Sequence, residues 1–233
     1  MGLTSDLEAE VREILATTWS TREGEVVPEE EDVRLGNDAV TFTEAAVLYA
    51  DLAESTELVQ QREEHFAAEV YKMYLHCAAT IIRKNNGTIT AFDGDRIMAV
   101  FIGDAKRSNA AKAALNMNYA VRKIINPALQ AQYPGTDYVV RHSVGVDISS
   151  LFVARTGIRG SNDLVWVGRS ANYAAKLCAL REGSSASFIT AEVYNRLRKD
   201  VKFGGNPPRP MWVQSYWEER SIDIYRSSWY WAP

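Results

Sequence analysis

The run Ala45-Ala46-Val47-Leu48-Tyr49-Ala50 is apolar at every position and ends on a carboxylate, Asp51. Strands with one solvated face alternate apolar and polar residues, so an unbroken run predicts a strand covered on both faces that delivers Asp51 to the end of a sheet. Behind it, Glu57 to Lys84 carries Phe66, Val70, Met73, Cys77 and Ile81 at spacings of three and four, the buried stripe of a long helix. Asn85-Asn86-Gly87 stops that helix. Thr88 to Phe92 and Ile97 to Phe101 read as two short strands joined at Asp93-Gly94-Asp95, residues that accept the positive φ of a tight hairpin. A second helix is expected from about Ala105 to Ile125, then strands from Tyr138 to Ile148 and near Val165 to Val167, and a short helix opening at about Gly168. Ser187 to Thr190, a helix from Ala191 to Lys199, a Gly/Pro break from Gly204 to Pro210 and a hairpin from Met211 to Tyr225 complete the chain. The order predicts an α+β fold with a ferredoxin-like βαββαβ core, an extra βα unit and a C-terminal hairpin, its antiparallel sheet carrying helices on one face.

Residues 1–40 stand apart as an N-terminal helix, from Ser5 to about Thr18 with Leu7, Val11 and Leu15 on one side, and an acidic linker, Pro28-Glu-Glu-Glu-Asp32. Residues 41–233 then form the main domain. At 233 residues the chain can bury a core of its own. Lys plus Arg number 26 against 30 Asp plus Glu, and a net charge of -4 argues against nonspecific nucleic-acid binding and against docking on an anionic membrane. Cys77 and Cys178 show no CxxC spacing, the N-terminus lacks a basic and apolar leader, and no stretch approaches the ~20 apolar residues of a membrane span, so a cytoplasmic protein is expected.

Asp51 ends one strand and Asp95 sits in the next hairpin, so the two carboxylates can converge at one edge of the sheet. Two hard oxygen ligands suit Mg²⁺ or Mn²⁺. On the residues alone, Asp51 as a helix cap and Asp93-Gly94-Asp95 as turn chemistry are equally open. No GxxxxGK[ST] loop exists, and no Gly-rich dinucleotide loop follows the first strand.

Three blocks fit a known pattern: Tyr49-Ala-Asp51-Leu-Ala-Glu-Ser-Thr56, Gly87-Thr-Ile-Thr-Ala-Phe-Asp-Gly94-Asp95-Arg-Ile-Met-Ala-Val-Phe101, and Val167-Gly168-Arg-Ser-Ala-Asn172-Tyr-Ala-Ala-Lys176-Leu177. In order and spacing they resemble class III nucleotide cyclase catalytic domains over about Val47 to Tyr225. The resemblance implies the class III cyclase fold. It also implies that Asp51 and Asp95 bind two Mn²⁺ or Mg²⁺ ions per site, with the Leu52 carbonyl as a further ligand. Asn172 matches the ribose-orienting asparagine. Lys176 stands where the family has its transition-state arginine, and it supplies charge without the bidentate fork. The position of the triphosphate-binding arginine holds Ser143; Arg141, two residues earlier on the same strand face, either substitutes for it or is a solvated surface arginine.

Two base-reading positions of the family hold Ala91 and Val165, and neither can hydrogen-bond a purine edge. A smaller base or a domain without catalysis would explain this, and the presence of both aspartates favours activity on a pyrimidine. The combination is similar to the pyrimidine cyclases of bacterial Pycsar antiphage systems. That resemblance implies conversion of UTP to 3′,5′-cyclic UMP and pyrophosphate, with CTP to cyclic CMP as the alternative, then an adenylate cyclase or a catalytically silent nucleotide-binding sensor. It further implies a head-to-tail homodimer with composite active sites, and a separate cyclic-nucleotide-binding effector that reads the product. The C-terminal aromatics, Trp212, Tyr216, Trp217, Tyr225, Trp229, Tyr230 and Trp231, are expected as packing or dimer contact. His65 and His76 share a helix face with no third ligand, and His142 is expected to be structural.

Overall fold

The computed structural model describes residues 2–181 and 183–233. Helix α1 (Leu3–Ala16) precedes strand β1 (Ser20–Glu23) and the long strand β2 (Asp38–Leu52). Helices α2 (Ser55–Gln61) and α3 (Glu64–Lys84) lead to the hairpin β3 (Thr88–Asp93) and β4 (Arg96–Phe101). Helix α4 (Lys106–Ala120) runs through a π turn into α5 (Asn126–Gln132), followed by the long hairpin β5 (His142–Ile158) and β6 (Ser161–Val167). Then come α6 (Arg169–Cys178), β7 (Ser187–Thr190), α7 (Ala191–Asn195), α8 (Lys199–Lys202), the short pair β8 (Phe203–Gly204) and β9 (Arg209–Pro210), and the hairpin β10 (Val213–Trp217) and β11 (Ile222–Ser227).

The main sheet has the order β10-β11-β7-β5-β2-β4-β3, with β1 parallel to the start of β2 and β6 paired to the far half of β5. As the apolar run requires, β2 lies in the middle, antiparallel to β4 and β5. Its alternate residues split cleanly between two layers. Ala46, Leu48 and Ala50, with Ile97, Ala99 and Phe101 of β4 and Val144, Val146 and Ile148 of β5, pack against α3 and α4. Ala45 and Val47 face the other way, with Met98, Val100, Leu151 and Val153, against Ala171 and Ala174 of α6. Fully burying Leu48 contributes about 2 kcal/mol.

Helices therefore cover both faces of the sheet, α3 and α4 one and α6 part of the other, where the sequence predicts one face. A ten-residue helix of small residues on its inner side, Ala171 and Ala174, can approach strands closely enough to fill a second layer. Gly145 of β5 lies directly beneath it: a Cβ there would meet the Ala174 carbonyl oxygen at 2.1 Å and the Cys178 nitrogen at 2.5 Å. Neither is a flexible side-chain tip. Gly145→Ala is thus expected to lift α6 and destabilise the protein by about 3 kcal/mol, read as a lower midpoint in denaturant with an unchanged slope. A midpoint within error of the parent would show that α6 is not seated on that strand.

The segment predicted as a linker is bound to the sheet. Arg22 of β1 reaches Asp38 at 3.0 Å, Val33 is fully buried, and Trp19 meets the Phe152 ring edge-on with centroids 5.1 Å apart. Only α1 remains an appendage, with none of its residues buried. The helix predicted from Glu57 to Lys84 breaks at Arg62 and Glu63 into α2 and α3. On α3, Tyr74 and Ala78 are buried and Met73 and Cys77 only partly so. Of the C-terminal aromatics, Trp212 is buried and donates to the Val201 carbonyl at 2.8 Å and Trp217 is buried, whereas Tyr216 and Tyr230 are exposed. Buried Asn116 and Asn118 of α4 bind the Trp231 and Trp229 carbonyls, both at 2.8 Å, and fix the tail. Among the described residues, no helix is long and apolar enough to cross a membrane.

Candidate active site

Asp51 is the last residue but one of β2 and pairs in register with Ser143, two positions beyond the contact of Tyr49 with Gly145. Strand alternation places Tyr49, Asp51, Ser143 and Gly145 on the face that carries α6. The β3–β4 turn, opened by Gly94 at φ +60°, brings Asp95 to the same end of the sheet. Asp51 is only 8% exposed. Burial, and next the negative charge of Asp95, push its carboxyl above the usual carboxylate range against the pull of Arg96 and Arg181. Asp51 does not cap α2, whose N-terminus lies at Glu54. The turn reading of Asp93-Gly94-Asp95 is correct for its backbone and incomplete for its chemistry, because Asp95 is electrostatically tied to Asp51.

The two carboxylates fit a divalent cation. The Asp95 Oδ2 atom is buried and has no hydrogen-bond partner, and its charge acts on Asp51; a divalent cation between the two carboxylates would supply the missing partner. No group of three His, Cys, Asp or Glu side chains forms a metal cluster among the described residues. A cation held there would take its further ligands from main-chain or substrate oxygens, and the Leu52 carbonyl adjoins Asp51. Two cations of the chain already converge there: Arg96 Nη2 lies 3.4 Å from Asp51 Oδ2, and Arg181 Nη2 lies 3.4 Å from the same oxygen and 2.8 Å from the Leu52 carbonyl. Sequence reasoning missed both arginines. Arg96 was accessible in principle, since a hairpin closing at Gly94 puts it beside the strand of Asp51. Arg181 follows α6 with no spacing signal.

The remaining predicted residues are not gathered around these carboxylates. Asn172 and Lys176 sit on the exposed side of α6, opposite the Ala171, Ala174 and Leu177 side that meets the sheet, and Lys176 Nζ pairs with Glu219 at 3.1 Å. Ala91 of β3 pairs with Met98 of β4, which separates it from Tyr49 of β2. Leu164 and Trp166 of β6 turn toward that layer, so Val165 between them points to the other side of its hairpin. Arg141 is paired with Glu54 and 64% exposed. His142 is buried against the Tyr74 ring, and burial lowers its pKa to about 4, which keeps the imidazole neutral. Arg169 at the start of α6 anchors the helix to buried Asp147 at 3.1 Å, an oxygen network completed by Thr190 at 2.6 Å.

No family model matches the chain. Among known proteins, it is 47% identical over 233 residues to a protein named uridylate cyclase from Burkholderia cepacia, covering 100% of both chains. It is 45% identical to a uridylate cyclase from Xanthomonas perforans, covering 99% of each. Among solved structures, the adenylyl cyclase CyaB from P. aeruginosa superposes with a TM-score of 0.63 at 26% identity, over 81% of this chain and 95% of that one.

Proposed function

The chain belongs to the uridylate cyclase family, and on that premise we propose that it converts UTP into 3′,5′-cyclic UMP and pyrophosphate. Identity along the whole length to relatives of that name is the observation that carries the reading; the paired carboxylates agree with it. In the reaction the ribose 3′ oxygen forms a bond to the α-phosphorus, the bond from that phosphorus to the bridging oxygen breaks, pyrophosphate leaves, and the hydroxyl proton passes to solvent. Asp51, Asp95 and the Leu52 carbonyl would hold a divalent cation, which would supply acidity for the 3′-hydroxyl and positive charge for the triphosphate. Asn172 orients the ribose, Lys176 neutralises charge developing on the α-phosphate, and Ala91 and Val165 leave the base site without the polar partners a purine edge needs.

The placement of these residues supports a homodimer. Within one protomer Asp51 and Asp95 lie at the end of the sheet while Asn172 and Lys176 look outward from α6, an arrangement in which a second copy would supply the missing half of each site. Two copies related head to tail make two composite sites, each with carboxylates from one protomer and an Asn172 helix from the other. The cyclic nucleotide then acts as a second messenger of antiphage defence, made in the cytoplasm and read by a separate effector; the likeness of the three sequence blocks to antiphage pyrimidine cyclases supports this.

The test is to supply purified protein and Mn²⁺ with each of the four labelled ribonucleoside triphosphates. Cyclic UMP is expected to dominate. Cyclic CMP as the main product would move the assignment to the other pyrimidine, cyclic AMP alone would end the argument from Ala91 and Val165, and no product from any of the four would leave a nucleotide-binding sensor.

A further inference from the structure

We infer that Arg181 is a further substrate-binding residue of this site. In the free protein its guanidinium stands on the oxygens that a cation needs, and on loading it passes to the phosphate oxygens of the triphosphate tail. This rests on the proposed reaction to the extent that a metal-bound polyphosphate is its substrate class; it does not depend on the base.

The contacts define the position. Arg181 Nη2 donates to the Leu52 carbonyl at 2.8 Å and lies 3.4 Å from Asp51 Oδ2, so one guanidinium occupies two oxygens of the carboxylate edge. Its hold on the carboxylate is loose and its side chain is 40% exposed. Its backbone adopts φ +46°, a left-handed conformation rare outside glycine, just after the last turn of α6. Arg181 also stands in the wall of an open groove of about 420 Å³ that begins at Ala53 and Glu54, immediately after Leu52, and includes Arg141, Ser184 and Ser185. A planar guanidinium at the join of carboxylate edge and groove has two alternatives within reach, carboxylate oxygen and phosphate oxygen, and it forks equally well onto either.

Charge decides between them. In the free protein Arg96 and Arg181 both stand against Asp51, while the Oδ2 atom of Asp95 has no hydrogen-bond partner. Divalent cations arriving without nucleotide meet Arg181 as a like charge on their own ligands and must displace it. A fully ionised triphosphate brings about four negative charges, enough to cancel two divalent ions and to offer the displaced guanidinium a new partner. Arg181 therefore opposes metal in the absence of polyphosphate and favours polyphosphate in the presence of metal. Such a residue makes the two ligands bind together.

The two effects have opposite signs, which a purely structural arginine cannot produce. Binding of Mn²⁺ alone is measured from the spin resonance of free Mn²⁺, and binding of inorganic tripolyphosphate in saturating Mn²⁺ by titration calorimetry. Arg181→Ala is expected to tighten Mn²⁺ alone by about tenfold and to weaken tripolyphosphate by about tenfold. Arg181→Lys, which keeps the charge and loses the fork, is expected to retain metal affinity near that of the parent and still weaken tripolyphosphate, and it decides the matter if the alanine variant fails to fold. Constants unchanged in both variants, or metal and polyphosphate affinity falling together, would overturn the inference while leaving the cyclase reading intact. A parent protein that binds tripolyphosphate with Mn²⁺ but turns over no UTP would instead overturn the substrate assignment, with the Arg181 response still deciding the inference.

Discussion

Asp51→Ala is expected to lower cyclic UMP formation on the order of a thousandfold without unfolding the protein, and Asp95→Ala to do the same. The size follows from what each carboxylate does: with one removed, a single carboxylate and a carbonyl remain to hold divalent charge against the triphosphate. The stability arm has the opposite sign. Folding raises the Asp51 carboxyl because it is buried and faces Asp95, so the ionised pair destabilises the empty protein at neutral pH. Asp51→Asn keeps the shape and removes that charge, and its thermal midpoint is expected to rise in metal-free buffer. Chelated parent protein and Asp51→Asn protein would then be equally silent in turnover while differing in midpoint. Full turnover in Asp51→Ala would remove the carboxylate edge from the chemistry altogether.

Mixing two inactive variants is expected to restore activity. Asp51→Ala keeps a working Asn172 helix, and Asn172→Ala keeps working carboxylates. In a head-to-tail heterodimer one of the two composite sites receives both intact halves, and the other receives both defects. After subunit exchange about half of the dimers are mixed, each with one functional site, so an equimolar mixture should approach a quarter of the parent rate from components near zero. A doubly substituted Asp51→Ala, Asn172→Ala chain mixed with parent provides the control, since its heterodimers contain no complete site. If the mixture stays silent while both proteins form dimers by light scattering, Asn172 serves the carboxylates of its own chain.

How far the sequence reached is best seen at particular residues. The strand of Ala45 to Ala50 was legible because complete apolarity has one economical explanation, a sheet interior; its true start at Asp38 was not, since Thr41, Thr43 and Glu44 interrupt the run and the strand is held there by its pairing with β1 and the far half of β5. The Asp93-Gly94-Asp95 turn was legible from glycine chemistry. The break between α2 and α3 was not, because Arg62 and Glu63 are ordinary helix formers and tertiary contacts, including the pairing of Arg62 with Asp137, fix the bend. For the site, the aspartates came from a motif, whereas Arg96 and Arg181 came only from three-dimensional juxtaposition. Long flexible side chains reach partners that no spacing rule encodes.

The central pairing also dictates how the chain must come together in time. β2 meets β5 with Ala46 opposite Ile148, about a hundred residues apart in sequence, and the β3–β4 hairpin can dock on only one edge of β2 before that. Until the ribosome has released the β5 segment, β2 keeps an open edge and a fully apolar surface, the combination most prone to pair with another nascent chain. Folding should accordingly be slow for the length, and the yield of soluble protein should rise when synthesis is slowed by lowering the temperature.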